Sequence, residues 1–349
     1  MPKRFAPTPY GLLPGGAAVD LYTLENARGA VCKVITYGAI ITEIHVPDRR
    51  GVLGDVVLGF DQLSDYASKN PYFGAAIGRV GNRIAQGTFT LNGRRHQLAV
   101  NNGPNSLHGG QRGFDKVVWR AQANQTPAGP AVTFHYCSPD GEEGYPGNLA
   151  VKMTYLWSDA NELRIDYEAT TDQDTPINLT NHSYWNLAER GSILDHVLTL
   201  SASRYTPVDA ELIPTGQIEP VAGGPMDFTL GKPIGRDLWQ LAGQPQGYDH
   251  NYVIDRSTEG LVKAAHVADP ASGRRLEVFT DQPGVQFYSG NFLDGSLIGK
   301  KGAIYDRHGG FCLETQHFPD AVHHPEFPST LLRPGETFRS ATVHRFSAD

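Results

Sequence analysis

Five stretches of this chain set polar residues that move protons or bind hydroxyls inside apolar surroundings, where an unpaired imidazole or carboxylate is costly. They are Gly78 to Ala85 (GRVGNRIA), Asn101 to Trp119 (NNGPNSLHGGQRGFDKVVW), Ile177 to Leu187 (INLTNHSYWNL), Gly247 to Asp255 (GYDHNYVID) and Phe311 to Phe318 (FCLETQHF). In the last of these Glu314 stands between Leu313 and Thr315, after Phe311 and Cys312. A carboxylate in such a strand-like context is either half of a structural ion pair, with Arg83 as one partner, or a working acid or base tuned by burial and charge. The local sequence leaves both open.

In INLTNHSYWNL, strand alternation places Asn178, Thr180, His182 and Tyr184 on one face, with Asn181 and Trp185 near the other. Aromatic rings beside amides suit a sugar, whose ring offers apolar C–H faces together with hydroxyls. Taken alone, a strand histidine is more often a satisfied core residue than a functional one. His108, between Leu107 and the Gly109-Gly110 pair, either caps a turn or meets a ligand that the glycines let the backbone approach. The GFDKVVW that follows reads as structural. His323-His324 lies close after the Glu314 segment, but no HExxH and no facial-triad spacing occurs, so no metal is expected. Neither a P-loop nor a GxGxxG opening a helix is present, and no nucleotide cofactor is expected.

The elements that must hold these residues read as strands. Val31 to Tyr37, Ile40 to Val46, Thr88 to Leu91, Ala131 to Tyr136, Leu149 to Trp157 and Glu162 to Ala169 are rich in β-branched and aromatic residues, often alternating. Asn92-Gly93 between FTL and RRHQL is a two-residue hairpin signal, since both positions tolerate positive φ. Helical periodicity is confined to Asp61 to Ser68 and Ile234 to Leu241, too little for alternating βαβ units. The 39 glycines and 24 prolines are spread through the length instead of marking a linker. The expectation is an all-β chain, a large β-sandwich with few short helices forming a single domain over 1–349.

Acidic residues outnumber basic ones by 37 to 30 without a basic cluster, which argues against a nucleic-acid partner. Cys32, Cys137 and Cys312 are too few and too scattered for a disulfide framework. The N-terminal MPKRFAPTPYGLL lacks the apolar stretch of a signal sequence, and no run approaches the ~18 apolar residues of a membrane span. A cytoplasmic protein with no membrane partner is expected.

Taken in order, GRVGNRIAQG, NNGPNSLHGG with GFDK, GEEGYPGNL, NLTNHSYWNL, YDHNYVID and ETQHFPDAVHHPEFPST closely resemble the aldose 1-epimerase (galactose mutarotase) family. The resemblance covers most of the chain. It implies a cofactor-free and metal-free β-sandwich that interconverts the anomers of free aldoses such as glucose and galactose; a monomer or homodimer is expected. Carried over position by position, it makes Glu314 the general base and His182 the general acid, with Asn82, Arg83, His108 and Asp249 binding substrate. Gln286, in QPGVQFYSGN, corresponds to a further substrate contact. On this reading an ionised Glu314 takes the proton of the C1 hydroxyl and a protonated His182 gives one to the ring oxygen, with His108 as the alternative acid. A binder without catalysis, an enzyme of sugar phosphates with further basic residues, and a hydrolase pairing Glu314 with Asp249 are the rival readings.

Overall fold

The computed structural model describes residues 6–349, and its regular structure is mostly β. The largest sheet has nine strands in the order Arg120–Thr126, Gly129–Ser138, Leu149–Trp157, Glu162–Thr171, Phe338–Ala348, Arg274–Thr280, Val262–Ala268, Val197–Leu200 and Lys232–Pro233. Its first four form an antiparallel meander, and the chain's last strand inserts between Glu162–Thr171 and Arg274–Thr280. Side chains alternate along these strands: Leu149, Val151, Met153, Tyr155 and Trp157 point inward while Ala150 and Lys152 are exposed.

Two five-stranded sheets pack against this one. The first runs in chain order through Thr8–Leu12, Ala18–Glu25, Val31–Ile35, Ile41–Pro47 and Leu53–Asp55. The second has the order Glu219–Pro220, Arg204–Thr206, Asp249–Val253, Gly284–Tyr288 and Cys312–Gln316. Trp157 Nε1 donates to Ala30 O at 2.9 Å and Tyr155 Oη to Ala39 O at 3.1 Å, which ties the first sheet down. The Thr315 and Thr342 hydroxyls meet at 2.6 Å and tie down the second. The core between the layers draws Val34 and Ile44, Phe134 and Trp157, and Phe287 and Leu313 from the three sheets, the β-sandwich expected. Each such large apolar side chain contributes about 1.5–3 kcal/mol by leaving water.

The sequence expectation of a helix at Asp61 to Ser68 is met by Leu63–Lys69, which buries Leu63 and Tyr66. The one at Ile234 to Leu241 is not: a single 3-10 turn occupies Leu238–Gln240, and Trp239 faces solvent. Ile234, Leu238 and Leu241 do pack on the core, but the Ile234 and Gly235 N–H groups donate to His196 O and Leu194 O, which commits the start of the segment to extended pairing instead of a helix. The hairpin over Asn92-Gly93 forms between Thr88–Leu91 and Arg94–Gln97.

Candidate active site

In the second five-stranded sheet, Val285, Phe287 and Leu313 belong to the sandwich core, and Thr315 bonds to the nine-stranded sheet. Alternation therefore turns Gln286, Tyr288, Cys312 and Glu314 to the opposite face. Antiparallel register lines up Asn251, Gln286 and Glu314 across three strands, with Asp249, Tyr288 and Cys312 as the next row. That outer face is roofed by loops instead of meeting water, so Cys312–Gln316 is buried throughout. The roof includes Thr180–His182, which pairs antiparallel with Ala75–Ile77, and Arg83–Ile84, which pairs with Ser106–Leu107.

Between sheet and roof lies an open cleft with about 660 Å³ of unfilled space, within the usual range for a small-molecule site. Asn82, Arg83, His108, His182, Asp249 and Glu314, drawn from five separate sequence segments, all line it. Gln286 does not; it sits behind Asp249 and donates from Nε2 to Asp249 Oδ1 at 2.7 Å. In this state it holds a cleft carboxylate in place.

The centre of the cleft is His182 Nε2, 3.6 Å from Glu314 Oε1. The other oxygen of Glu314, Oε2, is buried with no hydrogen-bond partner. Arg83 is not the ion-pair partner of Glu314. Its Nη2 lies 3.6 Å from Asp249 Oδ2 and its Nε donates to Asn102 Oδ1 at 3.1 Å. Burial pushes the Glu314 carboxyl well above its ordinary range, and the charge of Asp249 adds to this against Arg83. Burial also drives His182 down to about 4, opposed by a backbone hydrogen bond and by Asp249. Both shifts favour the uncharged forms, a protonated Glu314 beside a neutral His182. An ionised Glu314 facing a protonated imidazole, the sequence expectation, holds the same total of protons with one moved across the 3.6 Å gap.

His108 is locked differently. Its Nδ1 accepts the Asn82 backbone N–H at 3.2 Å, and the His108 backbone N–H donates to Asn82 O at 3.1 Å. With Nδ1 accepting, the neutral ring carries its proton on Nε2. Burial and the neighbouring His182, Arg83 and Lys116 hold it well below the ordinary histidine range. The accepting Nδ1 and the lowered pKa both favour a neutral His108 that presents Nε2–H as a donor.

His108, His182 and Glu314 also offer three ligand atoms within 4.8 Å of one another. A metal-bound histidine presents an unprotonated nitrogen to the ion and donates from the other to an acceptor. His108 has the opposite polarity, so this donor set is arranged for hydrogen bonding and proton transfer.

Sequence reasoning passed over several lining residues. Tyr72 packs its ring 4.6 Å from His108 and 5.6 Å from His182, positioned by a φ of 70° that a bulky residue rarely adopts. Tyr184, Tyr288 and Phe292 complete the aromatic wall, Phe292 being 58% exposed at the mouth. The alternation read in NLTNHSYWNL pointed to Tyr184, which stacks on His182, while Trp185 lies in the core against Phe346. Nothing local marks Tyr72 or Phe292. Gly109 serves loop packing: a Cβ there would fall 1.9 Å from Gly78 O, at a φ of +90°. Arg79 is buried on Pro146 O, Gly147 O and the Ser138 hydroxyl, which leaves Arg83 as the cation lining the cleft.

Residues 20–345 match the family model described as aldose 1-epimerase. The chain is 51% identical over 341 residues to the galactose mutarotase of Sus scrofa, covering 97% of both. It is 37% identical over 345 residues to the aldose 1-epimerase of Escherichia coli (strain K12), covering 97% of this chain and 98% of that one. A crystal structure of an aldose epimerase homologue from C. elegans aligns with a TM-score of 0.88 at 30% identity, over 95% of this chain and 99% of that one.

Proposed function

The chain belongs to the aldose 1-epimerase family, and from that premise we propose how its cleft interconverts the α and β anomers of hexoses. Glu314 works at O1 and His182 at O5. The observation that carries this assignment is the His182 Nε2 to Glu314 Oε1 approach of 3.6 Å beside an unpartnered Glu314 Oε2. Acid and base must reach the two oxygens of one acetal carbon, which stand a little over 2 Å apart, and a pair this close spans them.

When the sugar binds, its C1 hydroxyl meets the Glu314 carboxylate and its ring oxygen meets protonated His182. The O1 proton passes to Glu314, the C1–O5 bonding pair moves to O5, and O5 takes the His182 proton. The open-chain aldehyde turns about C1–C2 and closes from its other face with the proton transfers reversed. The aldehyde stage leaves Glu314 protonated and His182 neutral, the arrangement that burial favours. His108 donates Nε2–H to a substrate oxygen without changing its protonation. Asp249, held by Gln286 and Arg83, accepts from sugar hydroxyls. Asn82 and Arg83 line the same wall.

Among the described residues Arg83 is the cation that lines the cleft, and its pairing with Asp249 supports free hexoses such as glucose and galactose over a phosphate dianion. Among the described residues no helix is long and apolar enough to cross a membrane. A single cytoplasmic domain, monomeric or homodimeric and serving hexose and galactose metabolism, completes the reading. Its main core cluster runs from Tyr22 to Phe346.

Polarimetry of freshly dissolved α-glucose or α-galactose tests the assignment. Glu314→Gln and His182→Asn are each expected to lower kcat by about 10²–10⁴ with folding retained. Full activity in Glu314→Gln would end it.

A further inference from the structure

The rings of His108 and His182 are centred 5.1 Å apart, yet their second nitrogens meet opposite partners. A backbone N–H commits His108 Nδ1 to accepting. His182 Nδ1 faces the Sγ of Cys312 at 3.5 Å. Both Tyr72, at 5.6 Å, and Tyr184, at 5.1 Å, stack on the His182 ring and hold its plane. Cys312 is itself fully buried and stands two residues before Glu314 on the same strand and the same face. One strand therefore delivers both the base and the group that meets the far nitrogen of the acid.

We propose that Cys312 is a positioning residue: its sulfur accepts the Nδ1 proton of His182 and so keeps Nε2 as the nitrogen that exchanges protons with the sugar. This rests on His182 being the group that serves the ring oxygen. Protonated His182 carries N–H at both positions. When Nε2–H goes to O5, the C1–O5 pair goes to O5 and the O1 proton to Glu314, and the ring is left neutral with Nδ1–H on sulfur. On reclosure Nε2 takes the proton back from O5. The Nδ1 proton never moves, so the imidazole needs no tautomer change or rotation within the cycle.

Sulfur is suited to this because it is a weak acceptor. A carboxylate in its place would hold the tautomer as well, but would also stabilise the imidazolium and slow the release of its proton. Burial keeps the Cys312 thiol in its protonated form, so no thiolate charge binds His182 in the cationic state. The same weak support agrees with His182 being held low at about 4.

Nitrogen NMR of the protein labelled with ¹⁵N in its histidine rings reads the tautomer directly, with His182→Asn identifying the signal. At neutral pH without sugar, wild type is expected to show His182 protonated on Nδ1 and bare on Nε2. In Cys312→Ala the signal should move toward a mixture of tautomers. The same variant should lose about tenfold in kcat with KM nearly unchanged, the usual scale for removing an orienting partner. Cys312→Ser should restore the Nδ1–H signature. A wild-type His182 carrying its proton on Nε2 overturns the proposal without any variant. So does a Cys312→Ala protein with unchanged tautomer and unchanged kcat. The tautomer is read in the resting protein, so full activity in His182→Asn would remove the acid assignment while leaving the spectroscopic result standing.

Discussion

Two strands of this molecule obey the same alternation and put it to different use. In Leu149–Trp157, residues that point in are apolar and buried, and residues that point out include the exposed Ala150 and Lys152. In Cys312–Gln316, Leu313 and Thr315 point into the sandwich, but Cys312, Glu314 and Gln316 point out and are buried all the same. Glu314 Oε2 and both amide atoms of Gln316 have no hydrogen-bond partner. A buried polar group without a partner costs about 1–3 kcal/mol, so this strand gives up stability where the first gains it. The difference lies in what covers the outer face, water in one case and the roof of the cleft in the other.

If the first strand serves only stability, breaking it should cost the most free energy and leave the chemistry alone. Trp157→Ala removes a fully buried ring and its hydrogen bond to Ala30 O, and is expected to destabilise by about 3–5 kcal/mol. Denaturant titration measures the loss. At temperatures where the variant stays folded, its kcat should match wild type; a fall of more than a few-fold would show that the two strands are not separable.

A smaller effect is expected at the edge of the second strand's row, where Asp249 is held by Gln286 and Arg83 at the cleft wall. Asp249→Ala should raise KM about 10–100-fold, roughly 1.4–2.8 kcal/mol, because it removes an acceptor that holds ground state and transition state alike. Its kcat should change far less. Initial-rate polarimetry separates the two, and a kcat collapse equal to that of Glu314→Gln would move Asp249 into the proton-transfer machinery.

The contrast between these strands also explains what the sequence could reveal. Where the outer face meets water, alternation is complete, and Leu149–Trp157 was readable to the residue. Alternation also set His182 and Tyr184 on the face that became the cleft. It could not say whether Glu314 paired with Arg83 or with His182, because that depends on which loops roof the strand, a matter of long-range packing. Ordered resemblance to a family supplied the missing information. Tyr72 stayed invisible because its ring is aimed by an unusual backbone angle in a loop, and Gln286 was expected against substrate although it lies behind Asp249. Cys312 reads in FCLETQ as one more apolar residue, because its contact with His182 is made across strands distant in sequence.

The smallest effect tests whether Glu314 is held at the expense of stability. Its folded carboxyl is raised well above the unfolded value near 4.5, chiefly by burial. The folded protein therefore keeps a proton that the unfolded chain has released, and stability falls as pH climbs from about 4.5 toward the folded value. Glu314→Gln has no proton to lose there. His196, His317 and His344, held low near 4, act in the other direction as pH falls below about 6.5, equally in both proteins, and cancel in the difference. His182 faces Glu314 and does not cancel, so the comparison is read above pH 6.5, where burial keeps that imidazole neutral. The gap between the two melting temperatures should widen as pH climbs through that range. The inactive variant should become the more stable by about 1 kcal/mol, a degree or two in Tm for a chain of this size. A difference independent of pH, or a variant that melts lower at pH 8, would mean that Glu314 is buried with compensating partners, and the division of labour between the two strands would fail.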